Sequence, residues 1–422
     1  MTDARLALGI DLGTSGVRVA VIDSNRSLLF SSATGYRQSL HSPSDWIRAL
    51  TELIPAIPEP LRMQLGALAV DGTSGTLLAC THQGDPLGDA LPYHQACPEQ
   101  IQLVRDLIGE DGPACSASSS LARALRLLQE HPQPVLLRHQ ADWVHGWLLQ
   151  DWRKGEEGNN IRLGWQLKEE CWPESFHDEA WMASLPDIVP SGSVLGTLRK
   201  QRSQDLELPE DLIVVAGTTD ANAAVLTADA ADDEGITVLG STIVIKRFMD
   251  QPLNPGAGTS THRVGGRWLG GGASNSGGAV LRHVFPGIDL TELSRQIDPN
   301  ASSGLDLRPM ISRGERFPVD DPALEPVLKP RPVSDALYLH GLLEGLSRIE
   351  RDGWKRLQKL GAPAPKKLVT LGGGARNPQW RRLRERMLGL PIRSCNTPPA
   401  AGVARLALSA LQQKSSKASH SE

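Results

Sequence analysis

Four times along this chain an apolar, strand-forming run ends in a tight turn of Gly, Ser and Thr, and three of the four turns carry an aspartate. The turns are Asp11-Leu12-Gly13-Thr14-Ser15, Asp71-Gly72-Thr73-Ser74-Gly75, Gly217-Thr218-Thr219-Asp220 and Gly240-Ser241-Thr242. Small residues let backbone N–H groups approach phosphate oxygens closely, and the hydroxyls add donors. A carboxylate at such a turn can hold Mg²⁺, directly or through water, or accept a proton. Any one of these segments taken alone is an ordinary turn. Four in one chain, at these spacings, read instead as parts of a phosphate- and metal-binding site.

The spacing of apolar residues gives the rest of the architecture. The chain opens with a β-meander, Leu6 to Asp11, Val17 to Ile22 and Leu28 to Ser31, with β-branched residues in the second strand. Helices are expected from about Ser44, from Pro98 to Ile108 with Gly109 at its end, and from Ala221 to Ala228. Longer ones are expected from about Ser334 to Leu360, from Asn377-Pro378 to Gly389, and from Ala400 to Leu411. The strand–turn–strand pattern of residues 8–15 returns at residues 237–242, a weak internal repeat with a boundary near residue 230. The expected division is a first domain of residues 1–228, a second of 229–412, and a disordered Ser/Lys-rich tail of 413–422.

Composition excludes several classes. The chain has 422 residues, 40% hydrophobic and 22% charged, which suits two or three globular domains. A net charge of −4 gives no basic field for nucleic acid or an anionic membrane. No apolar run approaches the roughly 18 residues of a membrane span. A strand beginning by Leu6 leaves no room for a signal or transit peptide. The five cysteines are scattered and read as reduced thiols of a cytoplasmic protein. His139 and His145 lack zinc spacing and read as structural. Six of the ten tryptophans lie between Asp142 and Trp181. Aromatic rings stack on sugars, but they serve core packing more often. There is no Gly-x-x-x-x-Gly-Lys-Ser/Thr loop and no protein-kinase motif set.

Five segments, in order, resemble the FGGY carbohydrate kinases of the actin/hexokinase-like ATPase superfamily. They are Gly9-Ile10-Asp11-Leu12-Gly13-Thr14-Ser15 with Arg18, Gln140-Ala141-Asp142-Trp143 with Asn159-Asn160 and Gly164, Ala216 to Asp220, Gly341 to Leu346, and Gly372 to Trp380. The resemblance covers nearly the whole chain. It implies two RNase H-like α/β domains with ATP in the cleft between them, and ATP and Mg²⁺ as cofactors. It implies that Asp11 organises Mg²⁺, through water, and that Asp220 is the general base toward the sugar. Gly13, Thr14, Ser15, Ser241 and Thr242 would face the phosphates. Gly373, Gly374, Asn377 and Trp380 would hold the adenosine. Phosphoryl transfer needs these same parts: positioning, a metal to neutralise charge, and a carboxylate near the attacking oxygen.

The chain departs from the family pattern where the sugar is read. It is shorter than most members. Where a Trp-x-Asp-x-Arg-like element is usual it has Pro92-Tyr93-His94-Gln95-Ala96-Cys97, and its second glycine turn differs from those of xylulose and glycerol kinases. Both features resemble a compact subgroup of D-ribulose kinases found in cyanobacteria and plants. Ser74 and Gln95 are then candidate sugar contacts, beside Asp11 and Asp220. The expected reaction is D-ribulose to D-ribulose 5-phosphate. D-Xylulose, L-ribulose and a polyol such as glycerol are the alternatives within the class. A sugar-sensing ATPase without phosphorylation is the alternative outside it, and it has little use for both Asp11 and Asp220. The expected partners are a small sugar and ATP, in a monomer or homodimer, with no nucleic acid and no membrane.

Overall fold

The computed structural model describes residues 5–132 and 134–419, which form two compact units. The first comprises Met1–Thr227, Arg263–Gly266 and Pro398–Glu422; the second comprises Ala228–His262 and Arg267–Thr397.

The first unit is built on a six-stranded sheet. Its strands are β1 (Leu6–Leu12), β2 (Gly16–Ile22), β3 (Leu28–Gly35) and β4 (Leu65–Gly72). Two short pairs flank the sheet, β5 (Leu77–Cys80) with β6 (Leu136–His139), and β7 (Lys154–Glu156) with β8 (Asp187–Val189). The last two sheet strands are β9 (Val194–Thr197) and β10 (Ile213–Thr219), and the order is β3-β2-β1-β4-β10-β9. The expected meander is present, with β3 running on to Gly35. β1, β4 and β10 are mutually parallel, and every residue of all three is buried.

Two helices show why the sheet is covered as it is. Pro43–Leu53 begins where Ser42 accepts a hydrogen bond from the Asp45 amide and Pro43 takes the first turn, a sequence-coded start. Its Trp46, Leu50 and Leu53 enter the core with β1 and β4 residues. The C-terminal helix Pro399–Ser419 packs on β1, β2, β4 and β10. It approaches so closely that a Cβ on Gly9 would collide with the Ala400 carbonyl, so only glycine fits there.

This helix corrects two expectations. It returns to the first unit, whereas the division at residue 228 assigned it to the second. It also continues to Ser419, so residues 413–419 are helical where a disordered tail was expected; residues 420–422 lie outside the described residues. Gln412, Gln413 and Lys414 are good helix formers, and no Gly or Pro follows Leu411 to stop the helix. The helix expected from Ala221 starts one residue earlier, at Asp220, because Thr219 caps it by accepting from the Asn222 amide. The segment after Pro98 opens with a 3₁₀ turn, Pro98–Gln100, before the helix Ile101–Ile108.

The tryptophans between 142 and 181 pack. Trp143 meets Trp46 edge-on at 5.8 Å, and Trp165, Trp172, Phe176 and Trp181 form one aromatic cluster. All five cysteines are free thiols.

The second unit carries the other six-stranded sheet. Its strands are β11 (Glu234–Leu239), β12 (Ile243–Met249), β13 (Thr259–Val264), β14 (Arg267–Ala273), β15 (Lys367–Leu371) and β16 (Ile392–Ser394). The order is β13-β14-β12-β11-β15-β16. In both sheets an antiparallel series meets a parallel pair at the first strand, β1 beside β4 and β11 beside β15. The similarity of residues 8–15 and 237–242 therefore marks equivalent first turns of two like sheets. The helix Asp335–Lys359 buries Leu339, Leu342, Leu343 and Leu346 against the second sheet's core, and Ser334 caps its start. Among the described residues no helix is long and apolar enough to cross a membrane.

Candidate active site

In parallel sheets, ligands bind beyond the carboxyl ends of the strands. In the first unit those ends hold three carboxylates. Asp11 is on β1, Asp71 on β4, and Asp220 follows β10. The register pairs Asp11 with Asp71 directly. Adjacent strands lie about 4.8 Å apart, and paired residues point to the same face.

Their surroundings differ. Asp11 is buried and accepts a hydrogen bond from Arg18 Nη1 at 3.2 Å. Burial raises its pKa above the ordinary carboxylate value, against the opposing pull of Arg18. Gly13 makes that pairing possible, since a Cβ there would occupy the place of the Arg18 guanidinium. Asp71 is fully buried, and neither of its oxygens has a hydrogen-bond partner among the described residues. Burial pushes its pKa well up, and the negative charges of Asp11 and Asp220 push the same way. Asp220 sits in the first turn of its helix and accepts from the Ala221 amide at 2.8 Å. Burial raises its pKa too, with Asp11 adding to the rise and the amides of Ala221 and Ser74 opposing it.

The structure thus brings Asp11, Asp220 and Ser74 together, and adds Asp71 to them. The available signal was the repeated Asp at a strand end. Thr14 and Ser15 stand exposed at the turn between β1 and β2, with Gly13 buried behind them. Gln95 lies in the segment Pro92–Cys97, which is tied to the second turn by the Tyr93 amide donating to Thr76 Oγ1 at 3.2 Å. Behind that turn, Gln140 Oε1 accepts from both the Thr73 amide and the Thr73 hydroxyl.

Asp71 has a measurable consequence. Its folded pKa lies above its unfolded value of about 3.9. The folded state then binds the proton more tightly, so Asp71 lowers stability once pH rises above the unfolded value and costs nothing below it. In metal-free buffer, Asp71→Asn is expected to be more stable than the parent at neutral pH by about 1 kcal/mol or more, because the amide has no charge to bury and one pKa unit corresponds to about 1.4 kcal/mol. The difference should vanish below about pH 4. Urea melts across pH test this; equal stabilities at neutral pH would show that Asp71 is compensated.

The second unit holds a cavity of about 610 Å³. Its lining combines small residues, Gly240, Ser241, Gly278, Gly373 and Gly374, with apolar ones, among them Leu281, Leu339, Leu343 and Trp380. Three arginines, Arg282, Arg295 and Arg376, line the cavity, and no Asp or Glu does. Arg295 pairs with Glu292. Arg282 donates from Nη2 to Ser241 Oγ at 2.8 Å and makes no ion pair among the described residues. Glycines and arginines suit phosphate, and the apolar side chains suit a flat base. No sequence signal singled out Arg282.

The expected adenosine residues divide by role. A Cβ on Gly373 would meet nothing within 4 Å, so packing does not require the glycine and a ligand can approach its backbone. Gly374 is required by packing, because a Cβ would stand 2.6 Å from Trp380 Cζ3. The Asn377 side chain accepts from the Trp380 amide and donates to Ser294 Oγ at 2.7 Å, so it builds the wall. Trp380 lines the cavity yet is only 3% exposed, and its Nε1 donates to Ser347 Oγ at 3.2 Å. Ser241 lines the cavity; Thr242 is not among the lining residues.

These residues fit a nucleotide and a magnesium ion. The cavity has an acid-free, arginine-bearing wall. The strand ends of the first unit offer carboxylates, one with two unpartnered oxygens. No group of three or more His, Cys, Asp or Glu among the described residues could hold a metal alone. That matches Mg²⁺, which one or two carboxylates hold together with phosphate and water.

Two sheets of this topology are consistent with the two-domain fold of the actin/hexokinase-like ATPases. No family model matches the chain. Its relatives include the xylulose kinase of Streptomyces coelicolor, 26% identical over 92% of this chain and 84% of that one. The L-fuculokinase of Escherichia coli is 22% identical over 70% of this chain and 65% of that one. Among solved structures, a xylulose kinase from Brucella ovis superimposes with a TM-score of 0.83 at 19% identity, covering 97% of this chain and 91% of that one. Plasmodium falciparum glycerol kinase with ADP gives 0.82 at 15% identity, covering 97% and 90%. These relatives support an ATP-dependent carbohydrate kinase of the FGGY type, a family that uses ATP with Mg²⁺.

Proposed function

We propose that this kinase converts D-ribulose to D-ribulose 5-phosphate. The observation that carries the catalytic reading is the convergence of Asp11, Asp71 and Asp220 at the ends of three adjacent parallel strands. Asp220 is the general base. Its raised pKa makes it a stronger base than a solvent-exposed aspartate. It takes the proton of the sugar 5-hydroxyl as that oxygen bonds to phosphorus, and ADP leaves. Asp11, paired in register with Asp71, would hold the magnesium ion through water. Magnesium, when bound, neutralises phosphate charge that builds in transfer. The backbone of Gly13 and the hydroxyls of Thr14, Ser15 and Ser241 donate to phosphate oxygens, with Thr242 fixing the turn and Arg282 adding a cation. Gly373 and Gly374 admit the adenosine, whose wall Asn377 and Trp380 build.

Two things support D-ribulose as the sugar. Ser74 stands beside Asp220, and the segment holding Gln95 departs from the xylulose-kinase pattern. D-Xylulose is the second reading, favoured by the names of several relatives, the Streptomyces coelicolor protein among them. A site built to pair a hydroxyl rejects an analogue that leaves its own polar groups unpaired. Turnover of ATP against D-ribulose, D-xylulose, L-ribulose, ribitol and glycerol tests the assignment. The expected kcat/KM for D-ribulose exceeds that for the others by about tenfold or more, the worth of about one lost hydrogen bond. Preference for D-xylulose would overturn the sugar and leave the kinase reading intact.

A further inference from the structure

Arg123, on the helix Ser120–Glu130, is fully buried and forms no ion pair with any described carboxylate. Its guanidinium instead gathers carbonyls from separate segments. Nε donates to Gly75 at 2.9 Å; Nη1 donates to Tyr93 at 3.2 Å, to Gln95 at 2.8 Å and to Ser118 at 3.2 Å. Two of those segments are the turn that carries Ser74 and the stretch that carries Gln95. Burial depresses the Arg123 pKa to about 10, and the charge of Arg162 adds to the effect. A neutral side chain of similar size would fill this space without that cost.

We propose that Arg123 is a positioning residue for the sugar, setting the distance between the Ser74 turn and the Gln95 stretch. The inference rests on the reading of those two side chains as sugar contacts. The planar guanidinium reaches these segments through Nε and Nη1 together, with Nη2 making no hydrogen bond among the described residues, a span that the single nitrogen of lysine cannot reproduce. Gly75 belongs to the same device. It has φ +97°, and a Cβ there would stand 2.8 Å from Arg123 Nη2. A side chain at Gly75 would push the guanidinium away from its carbonyls.

Steady-state kinetics and amide hydrogen exchange on the full chain test this, using whichever sugar is turned over best. Arg123→Lys is expected to raise the sugar KM by about tenfold or more while the ATP KM stays within about twofold, as for lost sugar binding alone. Exchange in residues 73–76 and 92–97 should accelerate. In Arg123→Ala, added ethylguanidinium should restore part of the sugar KM while the ATP KM stays within about twofold, a split that general loss of fold would not produce. Gly75→Ala keeps the arginine and should raise the sugar KM in the same way, which covers the case where Arg123 variants fail to fold. A sugar KM within twofold of the parent, or an ATP KM rising in parallel, overturns the inference. If Ser74→Ala and Gln95→Ala leave the sugar KM unmoved, their reading as contacts fails. Faster exchange in both segments would then still uphold positioning by Arg123, and unchanged exchange would overturn it.

Discussion

Asp220→Asn is expected to bind ADP as the parent does and to lose sugar phosphorylation by about 10²–10⁴-fold, the usual worth of a general base. The amide keeps the shape of the side chain and can still accept from the Ala221 amide, so the helix that Thr219 caps should stand. What it loses is the ability to take a proton. The cavity proposed for the nucleotide is lined by residues of the second unit and Asp220 belongs to the first, so ADP affinity serves as the control. Calorimetric ADP titration and initial rates with the best sugar give the two numbers. A variant that phosphorylates at near the parental rate would remove Asp220 from the role of base.

Arg384→Met is expected to destabilise the second unit by about 3–5 kcal/mol, the cost of leaving a buried charge without its partner. Arg384 and Glu350 are both about 1% exposed and pair through two bonds of 2.6 and 2.7 Å. Arg384 Nη1 also donates to Thr370 Oγ1 at 2.8 Å, and Thr237 Oγ1 donates to Glu350 at 2.6 Å. The network ties the helices Asp335–Lys359 and Pro378–Leu388 to β11 and β15, directly beneath the glycine turn at Gly372. The double variant Arg384→Met/Glu350→Leu should recover most of the loss, because a matched apolar pair carries no buried charge. Denaturant unfolding of the parent and both variants decides it. If the single variant costs less than about 1 kcal/mol, the pair is not the structural tie its geometry describes.

Much of this protein is legible from residue order. Strand and helix positions follow from local periodicity and caps: Ser42 before Pro43, Ser334 before the long helix, Asn377 before Pro378. Each of these caps accepts a hydrogen bond from an amide three residues on. The strand-end turns and the similarity between residues 8–15 and 237–242 are also local, so composition and spacing suffice to find them. The fate of the last segment was not local. Polar Ser and Lys residues suggested a disordered tail, yet the helix begun by apolar residues packed on β1 and β4 continues through them.

The sequence by itself determined which chemical groups are present and on what kind of element each sits: aspartates at strand ends, glycines where backbone must be approached, arginines on helices. Only the tertiary structure decided which of them meet. Asp71 became part of the site because parallel pairing places it in register with Asp11 and next to the strand that leads to Asp220. Arg123 reached the Ser74 turn and the Gln95 stretch, and Arg282 reached Ser241, through packing of helices far from those turns in the chain. Register and helix docking depend on long-range burial summed over many residues, and no short window of sequence carries that sum.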